Sequence, residues 1–316
     1  MNALVKRLQA AHAGEVRVNA PMAGFAHWRI GGPADLLILP RDEAGLVAAV
    51  RAARDEDAPV TIMGAGSNLL FDDAGVRGVV VSLTRMTGEI AVQGLALRVQ
   101  AGASMAHVAK TAARAGLSGL EHAANIPGTL GGLIAMNGGS ERRTIGEVVT
   151  STRALAPEGE IVELGPEECG FGYRQSAFQR NGFVILGAAL RFAPGDPAAI
   201  FARIREDLAA REKKFPLDLP SCGSVFKSHP ELYERLGPPG KILEDAGLKG
   251  LRLGDMEISP KHANFFVNHG NGRSADALAL IAHARRAVHE LTGVWLECEA
   301  RYVPPQGAVM AAHEAL

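Results

Sequence analysis

The sequence predicts an α/β region followed by a smaller α+β domain, and three observations carry this prediction. First, an apolar strand at residues 36–39, a helix that Asp42 can cap and a strand at Val60–Met63 succeed one another, which is the alternation of an α/β fold. Second, the Pro-Gly-Asp-Pro segment 194–197 separates this region from the C-terminal third of the chain. Third, that C-terminal third carries a long helix at 274–291 with strands around it, which is typical of an α+β domain.

The remaining elements follow from apolar runs that end at turn residues. Strands are predicted at 79–83, on either side of Gln93 and Gly94, and at 148–156, 161–164, 183–192, 265–267 and 294–302. Helices are predicted at 104–115, with Gly116 as a left-handed cap, at 197–214, with Asp196 as the N-cap, and at 241–246. Because alternate residues of a strand share a face, one face of the last strand would be polar. It would carry Trp295, Glu297, Glu299 and Arg301.

Composition and charge indicate a folded chain without an electrostatic preference for polyanions. Hydrophobic residues make up 47% of the 316 residues, and this length predicts two or three domains. The 33 basic and 34 acidic residues leave a net charge of -1, so we expect neither nucleic acid nor a membrane as a partner. Cys169, Cys222 and Cys298 lack the spacing of a zinc or redox site. With no evident signal peptide or membrane span, we expect a cytoplasmic protein without a metal.

Two glycine-rich segments are candidates for binding phosphate. The first follows the strand Val60–Met63 and consists of Gly64, Ala65, Gly66, Ser67 and Asn68. Its backbone N–H groups can converge on a phosphate, although an ordinary turn is an equally good interpretation. The second consists of Ile126, Pro127, Gly128, Thr129, Leu130, Gly131 and Gly132. Its alternative is tight packing of a helix against a sheet, but two such loops together suit a diphosphate.

Candidate catalytic groups lie in three separated segments. They are Phe171-Gly172-Tyr173-Arg174, Cys222-Gly223-Ser224-Val225-Phe226-Lys227, and Glu297 with Glu299. An isolated polar residue more often belongs to a solvated surface, so spacing alone assigns none of them a role. Cys222 has no histidine nearby in sequence and is better explained as a small packing residue. The histidines do not show the spacing of metal ligands.

Eight segments in order resemble the UDP-N-acetylenolpyruvoylglucosamine reductase family over residues 20–303. They are Arg29-Ile30-Gly31-Gly32-Pro33-Ala34, Gly64-Ala65-Gly66-Ser67-Asn68-Leu69-Leu70, Ile126-Pro127-Gly128-Thr129, Met136-Asn137, Phe171-Gly172-Tyr173-Arg174, Gly223-Ser224-Val225-Phe226-Lys227, Ala246-Gly247-Leu248-Lys249-Gly250 and Lys261-His262-Ala263-Asn264-Phe265. A chance match of eight ordered segments is negligible.

This resemblance implies an FAD-binding fold of the vanillyl-alcohol-oxidase type, made of two subdomains and followed by an α+β substrate-binding domain. The boundaries would be an N-terminal helical segment at 1–19, FAD-binding subdomains at 20–82 and 83–195, the substrate-binding domain at 196–303 and a tail at 304–316. The family reduces UDP-N-acetylglucosamine enolpyruvate to UDP-N-acetylmuramate for peptidoglycan synthesis, with NADPH as co-substrate and non-covalent FAD. We expect a monomer.

The resemblance also implies roles for individual residues. The FAD diphosphate would lie against the two glycine segments, with Asn137 and Gly138 near the cofactor. Arg174 and Glu299 would stabilise the enolate that forms at the substrate carboxylate, and Ser224 would donate a proton. Glu297 is the second choice for the carboxyl. Apart from the resemblance, anionic ligands need positive partners, so Lys227, Lys241 and Lys261 are candidates for binding the UDP diphosphate or NADPH, with ordinary exposed lysines as the alternative interpretation. Tyr173 is a further candidate for binding the substrate.

Two other functions stay open at this point. One is another oxidoreductase of the same flavin fold, acting on a lactone, alcohol or hydroxy acid, although the C-terminal motifs argue against it. The other is a nucleotide-sensing module that binds phosphate without catalysis. The chain departs from the family pattern at Asn125, at residues 140–143 and at residues 255–256, which affects ligand contacts more than the reaction. The short segment after Arg174 indicates the compact class of the family, without a substrate-capping loop.

Overall fold

The structure is a computed structural model that describes residues 2–316, without the side chain of Asn2. Met1, the first residue of the predicted segment 1–19, lies outside the described residues. The α-helices are α1 Asn2–Ala10, α2 Glu43–Arg54, α3 Met105–Arg114, α4 Leu130–Met136, α5 Pro166–Cys169, α6 Pro197–Lys214, α7 Pro230–Leu236, α8 Pro239–Asp245 and α9 Ser274–Thr292. The β-strands are β1 Glu15–Pro21, β2 Pro33–Leu39, β3 Val60–Met63, β4 Leu69–Phe71, β5 Val76–Ser82, β6 Ala91–Gln93, β7 Ala96–Gln100, β8 Leu117–Ser118, β9 Val149–Leu155, β10 Ile161–Leu164, β11 Val184–Arg191, β12 Ala193–Pro194, β13 Ser221–Ser224, β14 Arg252–Leu253, β15 Met256–Ile258, β16 Phe265–Asn268, β17 Arg301–Val303 and β18 Met310–Ala311.

The chain divides into two compact units, and it passes between them several times. Unit 1 contains the residues up to Arg17, Leu37–Ala65 and Val79–Ala210. Unit 2 contains Val18–Leu36, Gly66–Gly78 and Arg211–Leu316. The domain boundaries expected from the sequence stay predictions.

Unit 1 contains a five-stranded antiparallel sheet in the order β10-β9-β11-β7-β6. The middle strand β11 is buried along most of its length, which explains its continuous apolar sequence. The hairpins β6–β7 and β9–β10 confirm the two predicted hairpins. In the same unit β3 pairs in parallel with β5, from Val60 opposite Val79 to Met63 opposite Ser82, and the first glycine segment begins where β3 ends.

The predicted helix caps are confirmed. At the start of α2, Asp42 Oδ1 accepts a hydrogen bond from the Gly45 N–H at 2.8 Å. At the start of α6, Asp196 Oδ2 accepts one from the Ala199 N–H at 2.9 Å. Gly116 follows α3 with a φ of 68°, the left-handed conformation that ends many helices. Each cap involves residues close in sequence, which is why the sequence alone predicts it.

Unit 2 is built around the four-stranded sheet β13-β16-β15-β14, on which α9 packs, and it also holds the three-stranded sheet β18-β17-β4. The largest side chains of its core include the fully buried Trp28, Phe226 and Phe266. The Trp28 indole N–H donates to the Phe266 carbonyl at 2.6 Å, and the Asn268 amide donates to the Trp28 carbonyl at 2.9 Å. These bonds tie the segment before β2 to strand β16.

The residues beyond 303, which the sequence marks only as a tail, form part of the core of unit 2. Strand β18 pairs with β17, and the next residue, Ala312, is fully buried. Because the strand β17 directly follows Glu299 and Ala300, this tail lies beside a predicted catalytic segment.

The predicted strand 294–302 is wrong in extent, because only Arg301–Val303 forms the regular strand β17. The alternation that suggested it does exist: Leu296, Cys298 and Ala300 are buried. This segment pairs irregularly with residues 225–227, through the bridge between Phe226 and Cys298. It is extended and alternately buried. However, side chains such as those of Asn68 and His313 bond to its backbone where the backbone of a neighbouring strand would otherwise do so.

Candidate active site

The two glycine segments approach each other within unit 1. A Cβ atom built on Gly64 would overlap Oγ1 of Thr129, and one built on Gly131 would lie 2.9 Å from the Ala101 Cβ. Thr129 caps α4 by accepting a hydrogen bond from the Gly132 N–H at 3.4 Å. Close packing, the alternative interpretation of these glycines, is therefore real at Gly64 and Gly131. It also brings the two loops of small residues together, as a diphosphate site requires.

The backbone of the second glycine segment is held by residues just before and at the start of α3. The Gly128 carbonyl accepts from Met105 N at 3.1 Å, and Leu130 N donates to the Ala103 carbonyl at 2.9 Å. Gly128 has a φ of 151°, a backbone conformation that residues other than glycine rarely adopt. Ile126 is half-buried and Pro127 is exposed. The loop is thus fixed by backbone bonds while part of it faces outward.

The rest of the first glycine segment, Gly66 to Asn68, lies in unit 2. The Gly66 carbonyl accepts from His27 N at 3.1 Å. The side-chain amide of Asn68 donates to the Glu299 carbonyl at 2.9 Å, and the Asn68 carbonyl accepts from Arg301 N at 3.0 Å. Asn68 therefore links the glycine loop to the backbone of a predicted catalytic residue.

In unit 1, Asn137 connects the end of α4 to the segment that carries Arg174. Asn137 is buried and adopts the left-handed conformation, with φ 42° and ψ 50°. Its amide donates to the Gly172 carbonyl at 2.8 Å, and its Oδ1 accepts from Gly146 N at 3.0 Å. Gly138 follows directly, and its N–H donates to the Leu133 carbonyl at 2.8 Å. Asn137 thus has a structural task beside the cofactor contact predicted for it.

Arg174 lies in a tight turn between Gly172 and Gln175. Its φ is 52°, an uncommon conformation for a residue with a bulky side chain, and such residues concentrate at functional sites. Its Nη2 donates to the Gly139 carbonyl at 3.0 Å, and its guanidinium lies 5.5 Å from the centre of the Tyr173 ring. Both the backbone and the side chain of Arg174 are therefore held in place.

Ser224 is the last residue of β13, where the strand is irregular. Gly223 before it has a φ of 79°, and the register of β13 against β16 shifts between Ser221 and Ser224. The next residues are clamped by the buried Asn264, whose Oδ1 accepts from Phe226 N and whose amide donates to the Phe226 carbonyl, both at 2.9 Å. Ser224 itself is half-buried, so its hydroxyl is held on a rigid segment near the surface of unit 2.

The cysteines beside the candidate residues are packing residues. Cys222 and Cys298 are 6% and 1% exposed and belong to the core of unit 2. Burial raises the pKa of the Cys222 thiol well above its usual value and that of Cys298 to about 12. A thiol that stays protonated is a poor nucleophile. The interpretation of Cys222 as a packing residue is therefore confirmed.

The two candidate carboxyls differ in their surroundings. Glu297 has a side chain that is 65% exposed and forms an ion pair with Lys227 at 3.2 Å. Glu299 is half-buried, and its N–H donates to the Val225 carbonyl at 2.8 Å. Since Val225 directly follows Ser224, this bond places Ser224 and Glu299 on neighbouring segments of unit 2. Arg174 belongs to unit 1.

The lysines predicted to bind phosphate all have partners in the protein. Lys227 pairs with Glu297, and Lys241 donates to both Asp245 oxygens at 2.6 Å. Lys261 Nζ donates to the Glu212 carbonyl at 2.8 Å. The side chains of Lys241 and Asp245 are more than half exposed, so that ion pair contributes little and can exchange for a ligand.

Sequence reasoning assigned no function to Asn264 or His313. A buried asparagine between Ala263 and Phe265 is a signal that a side chain bonds to backbone, and Asn264 does so at Phe226. His313 accepts a hydrogen bond from Cys298 N at its Nδ1, at 3.0 Å. Nothing in the sequence around His313 predicts this contact, because the two residues meet only through the fold of unit 2.

Residues 2–316 show neither a cluster of metal ligands nor a helix that could span a membrane. In this part of the chain, no group of three or more His, Cys, Asp or Glu side chains is arranged to hold a metal ion. Over the same residues, no helix has the length and apolar character needed to cross a membrane.

Family models match both parts of the chain. The model described as FAD binding domain matches residues 34–165 and so covers both glycine segments. The model described as UDP-N-acetylenolpyruvoylglucosamine reductase, C-terminal domain, matches residues 215–303 and so covers Ser224 and Glu299.

Curated relatives match almost the whole chain. UDP-N-acetylenolpyruvoylglucosamine reductase 1 of Corynebacterium glutamicum is 43% identical over 290 residues, which cover 92% of this chain and 87% of the relative. The reductase of Rubrobacter xylanophilus is 41% identical over 288 residues, covering 91% of this chain and 95% of the relative.

Solved structures agree with the predicted fold class. UDP-N-acetylenolpyruvylglucosamine reductase from Thermus caldophilus matches with a TM-score of 0.76 and 31% identity, over 92% of this chain and 98% of that chain. An alkyldihydroxyacetonephosphate synthase matches with a TM-score of 0.50 and 19% identity, over 61% of this chain and 41% of that chain, and so shows only a shared fold. The prediction of a vanillyl-alcohol-oxidase-type FAD-binding fold followed by a reductase C-terminal domain is confirmed.

Proposed function

The chain belongs to the UDP-N-acetylenolpyruvoylglucosamine reductase family, and we propose that Arg174, Ser224 and Glu299 carry out the reaction. The protein is an FAD-containing oxidoreductase that uses NADPH to reduce UDP-N-acetylglucosamine enolpyruvate to UDP-N-acetylmuramate, in peptidoglycan precursor synthesis. When FAD is bound, it supplies the hydride, taken from NADPH, to C3 of the enolpyruvyl group.

In the proposed mechanism, three side chains handle the charge and the proton that follow this hydride. Negative charge develops at C2 and on the substrate carboxylate, and the planar guanidinium of Arg174 holds both carboxylate oxygens. Glu299 acts as a protonated carboxyl that shares its proton with the enolate, because an ionised carboxylate would repel it. The Ser224 hydroxyl gives its proton to C2, which completes the product, and the half-buried serine then takes a proton back from solvent.

The bond from Glu299 N to the Val225 carbonyl carries this proposal, because it sets the proposed acid and the proposed enolate partner on adjacent segments. The tight, positive-φ turn at Arg174 supports a functional role for that residue. The sequence had left open a flavin oxidoreductase acting on a lactone, alcohol or hydroxy acid. It would have no use for the C-terminal reductase domain that residues 215–303 match.

A direct test is to mix the purified yellow protein with NADPH without oxygen, and then to add the enolpyruvyl sugar nucleotide. We expect the flavin colour to bleach and then to return promptly. Adding a lactone or hydroxy acid in place of the sugar nucleotide is the control and should restore no colour. A protein that ignores NADPH and the sugar nucleotide would contradict the proposal.

The residues of the glycine segments suit an FAD diphosphate. Gly64 and Thr129 are in contact, so the two loops can bind one ligand, and their small side chains leave the backbone open to phosphate oxygens. Gly64, Ala65, Gly66, Ser67 and Asn68 would form one side, and Ile126, Pro127, Gly128, Thr129, Gly131 and Gly132 the other. Asn137 and Gly138 would lie near the ring.

We expect Gly64→Ala to lower the affinity for FAD about tenfold, because the new Cβ would displace Thr129 and move the two loops apart. Overpacking of this kind costs about 1 to 3 kcal/mol. The measurement is the ratio of bound FAD to protein after gentle purification and titration with FAD. Gly24→Ala is the matched control, since a Cβ at this exposed glycine meets no atom within 4 Å. Equal FAD binding by the two variants would refute this assignment.

Further assignments from the sequence are part of the same proposal. Tyr173, Lys227, Lys241 and Lys261 bind the substrate or the NADPH phosphates, and the exposed Tyr173 ring and the exposed Lys241 are accessible for this. The protein is a monomer in the cytoplasm. Three cysteines that form no disulfide within the described chain support a reducing compartment.

A further inference from the structure

The C-terminal tail holds the backbone on both sides of Glu299. Before it, the Cys298 N–H donates to Nδ1 of His313 at 3.0 Å. After it, the Ala300 carbonyl accepts from Ala312 N at 2.9 Å. Strand β18 continues this contact by pairing with β17. The tail therefore limits the positions that the Glu299 backbone can take.

The Glu299 backbone itself is bonded to two other segments. Its N–H donates to the Val225 carbonyl at 2.8 Å, and its carbonyl accepts from the Asn68 amide at 2.9 Å. Neither bond fixes the peptide before Cys298. That peptide is held on both sides: its carbonyl, on Glu297, accepts from Lys227 N at 2.9 Å, and its N–H donates to His313, which contributes a side chain where a strand partner would contribute a carbonyl.

His313 can accept this bond only when Nδ1 carries no proton, with the proton on Nε2. Burial and the positive charge of Arg285 both lower its pKa from the usual value, and Lys227 lowers it slightly. Glu314 and Glu297 act in the opposite direction. Burial and Arg285 thus favour the neutral ring, which is the form that accepts the bond.

We propose that His313 is a positioning residue for the reduction: through the Cys298 backbone it keeps the Glu299 carboxyl pointed at the substrate. The proposal rests on the function proposed for Glu299. A buried N–H without an acceptor is unfavourable, so loss of the imidazole would let the N–H side of this peptide tilt toward another partner while the Lys227 N–H still holds its carbonyl. The C-terminal family model matches residues 215–303, and residue 313 lies beyond them. The contact that holds the backbone before Glu299 is therefore made by the tail of this chain and not by the matched stretch.

The test compares His313→Ala, His313→Asn and His283→Ala as complete, FAD-loaded proteins. His283 is an exposed histidine on α9 and serves as the matched control. We expect His313→Ala to slow flavin reoxidation by saturating enolpyruvyl sugar nucleotide about ten- to a hundredfold, the usual effect of a small misplacement. Reduction by NADPH should stay within about twofold, since only the second half-reaction needs Glu299. His313→Asn should keep most of the rate, because its Oδ1 can accept the bond in place of Nδ1.

The pH dependence separates positioning from simple packing. The bond to His313 is present above its lowered pKa and is lost as the pH falls through that value, so the wild-type reoxidation rate should fall at acid pH. The His313→Asn protein has no titrating group at position 313. The ratio of the wild-type reoxidation rate to the His313→Asn rate should therefore fall as the pH is lowered. The charged groups that act on the pKa of the ring are unchanged in both proteins; they are Arg285, Lys227, Glu297 and Glu314.

If the ratio of the wild-type rate to the His313→Asn rate does not change with pH, the inference is overturned. This comparison does not need the His313→Ala protein, so it decides the question even if that variant fails to fold. A His313→Ala protein that reoxidises as fast as His283→Ala would also overturn the inference. Glu299→Gln is measured in the same series to separate the two ideas. If Glu299→Gln is slow and His313→Ala is normal, only the inference about His313 fails. If Glu299→Gln is normal, the proposed role of Glu299 fails, and the inference about His313 fails with it.

Discussion

Replacing Ser224 by alanine is expected to slow flavin reoxidation by the enolpyruvyl sugar nucleotide at least about a hundredfold, while reduction by NADPH stays unchanged. Loss of a transition-state donor costs about 2.7 to 4 kcal/mol. The Asn264 clamp at Phe226 holds the segment that carries this hydroxyl, so we expect the substitution to leave the backbone of the segment unchanged. Stopped-flow absorbance resolves the two half-reactions.

Ser221→Ala is the matched control for this prediction. Ser221 lies on the same strand β13, three residues earlier, and pairs with Val267 through its backbone. It should reoxidise at the wild-type rate. The role of Ser224 as the acid would be wrong if its alanine variant were slow with NADPH and normal with the sugar nucleotide.

Replacing Glu299 by glutamine is expected to slow the same reoxidation step about a hundredfold. The amide has nearly the same size but cannot share an acidic proton with the enolate, and groups that transfer protons contribute about a hundredfold or more. The half-buried position of Glu299 and its bond to the Val225 carbonyl leave the backbone unchanged by this substitution. Single-turnover mixing of the reduced enzyme with substrate measures the effect.

Glu297→Gln provides the comparison. Its side chain is 65% exposed and pairs with Lys227 at the surface, where an ion pair is worth at most about 1 kcal/mol. We expect a change of no more than about fivefold, mainly in substrate binding if Lys227 contacts phosphate. A large defect in Glu297→Gln together with a normal Glu299→Gln would move the carboxyl's role to residue 297.

The polar alternation around these two glutamates shows where sequence reasoning succeeded and where it failed. The burial of Leu296, Cys298 and Ala300 follows the predicted period of two. The predicted regular strand does not form over residues 294–300, because a ladder requires a continuous partner strand. Residues 297–299 pair only irregularly with residues 225–227, and single groups elsewhere in the chain make other bonds to this backbone. Asn68 and His313 are two of these groups, and no local pattern predicts their contacts with residues 298–299.

Local sequence determined the elements that depend on neighbouring residues: the caps at Asp42 and Asp196, the left-handed Gly116 and the hairpins. Their free energy comes from bonds and turn conformations within a few residues, so a pattern in the chain is sufficient. Ordered motifs were also sufficient for the fold class and the family. The tertiary structure alone decided that Thr129 packs on Gly64, that Asn137 holds the turn of Arg174 and that the tail supports Glu299. These contacts join residues far apart in sequence, and only the packing of a complete core brings such residues within bonding distance.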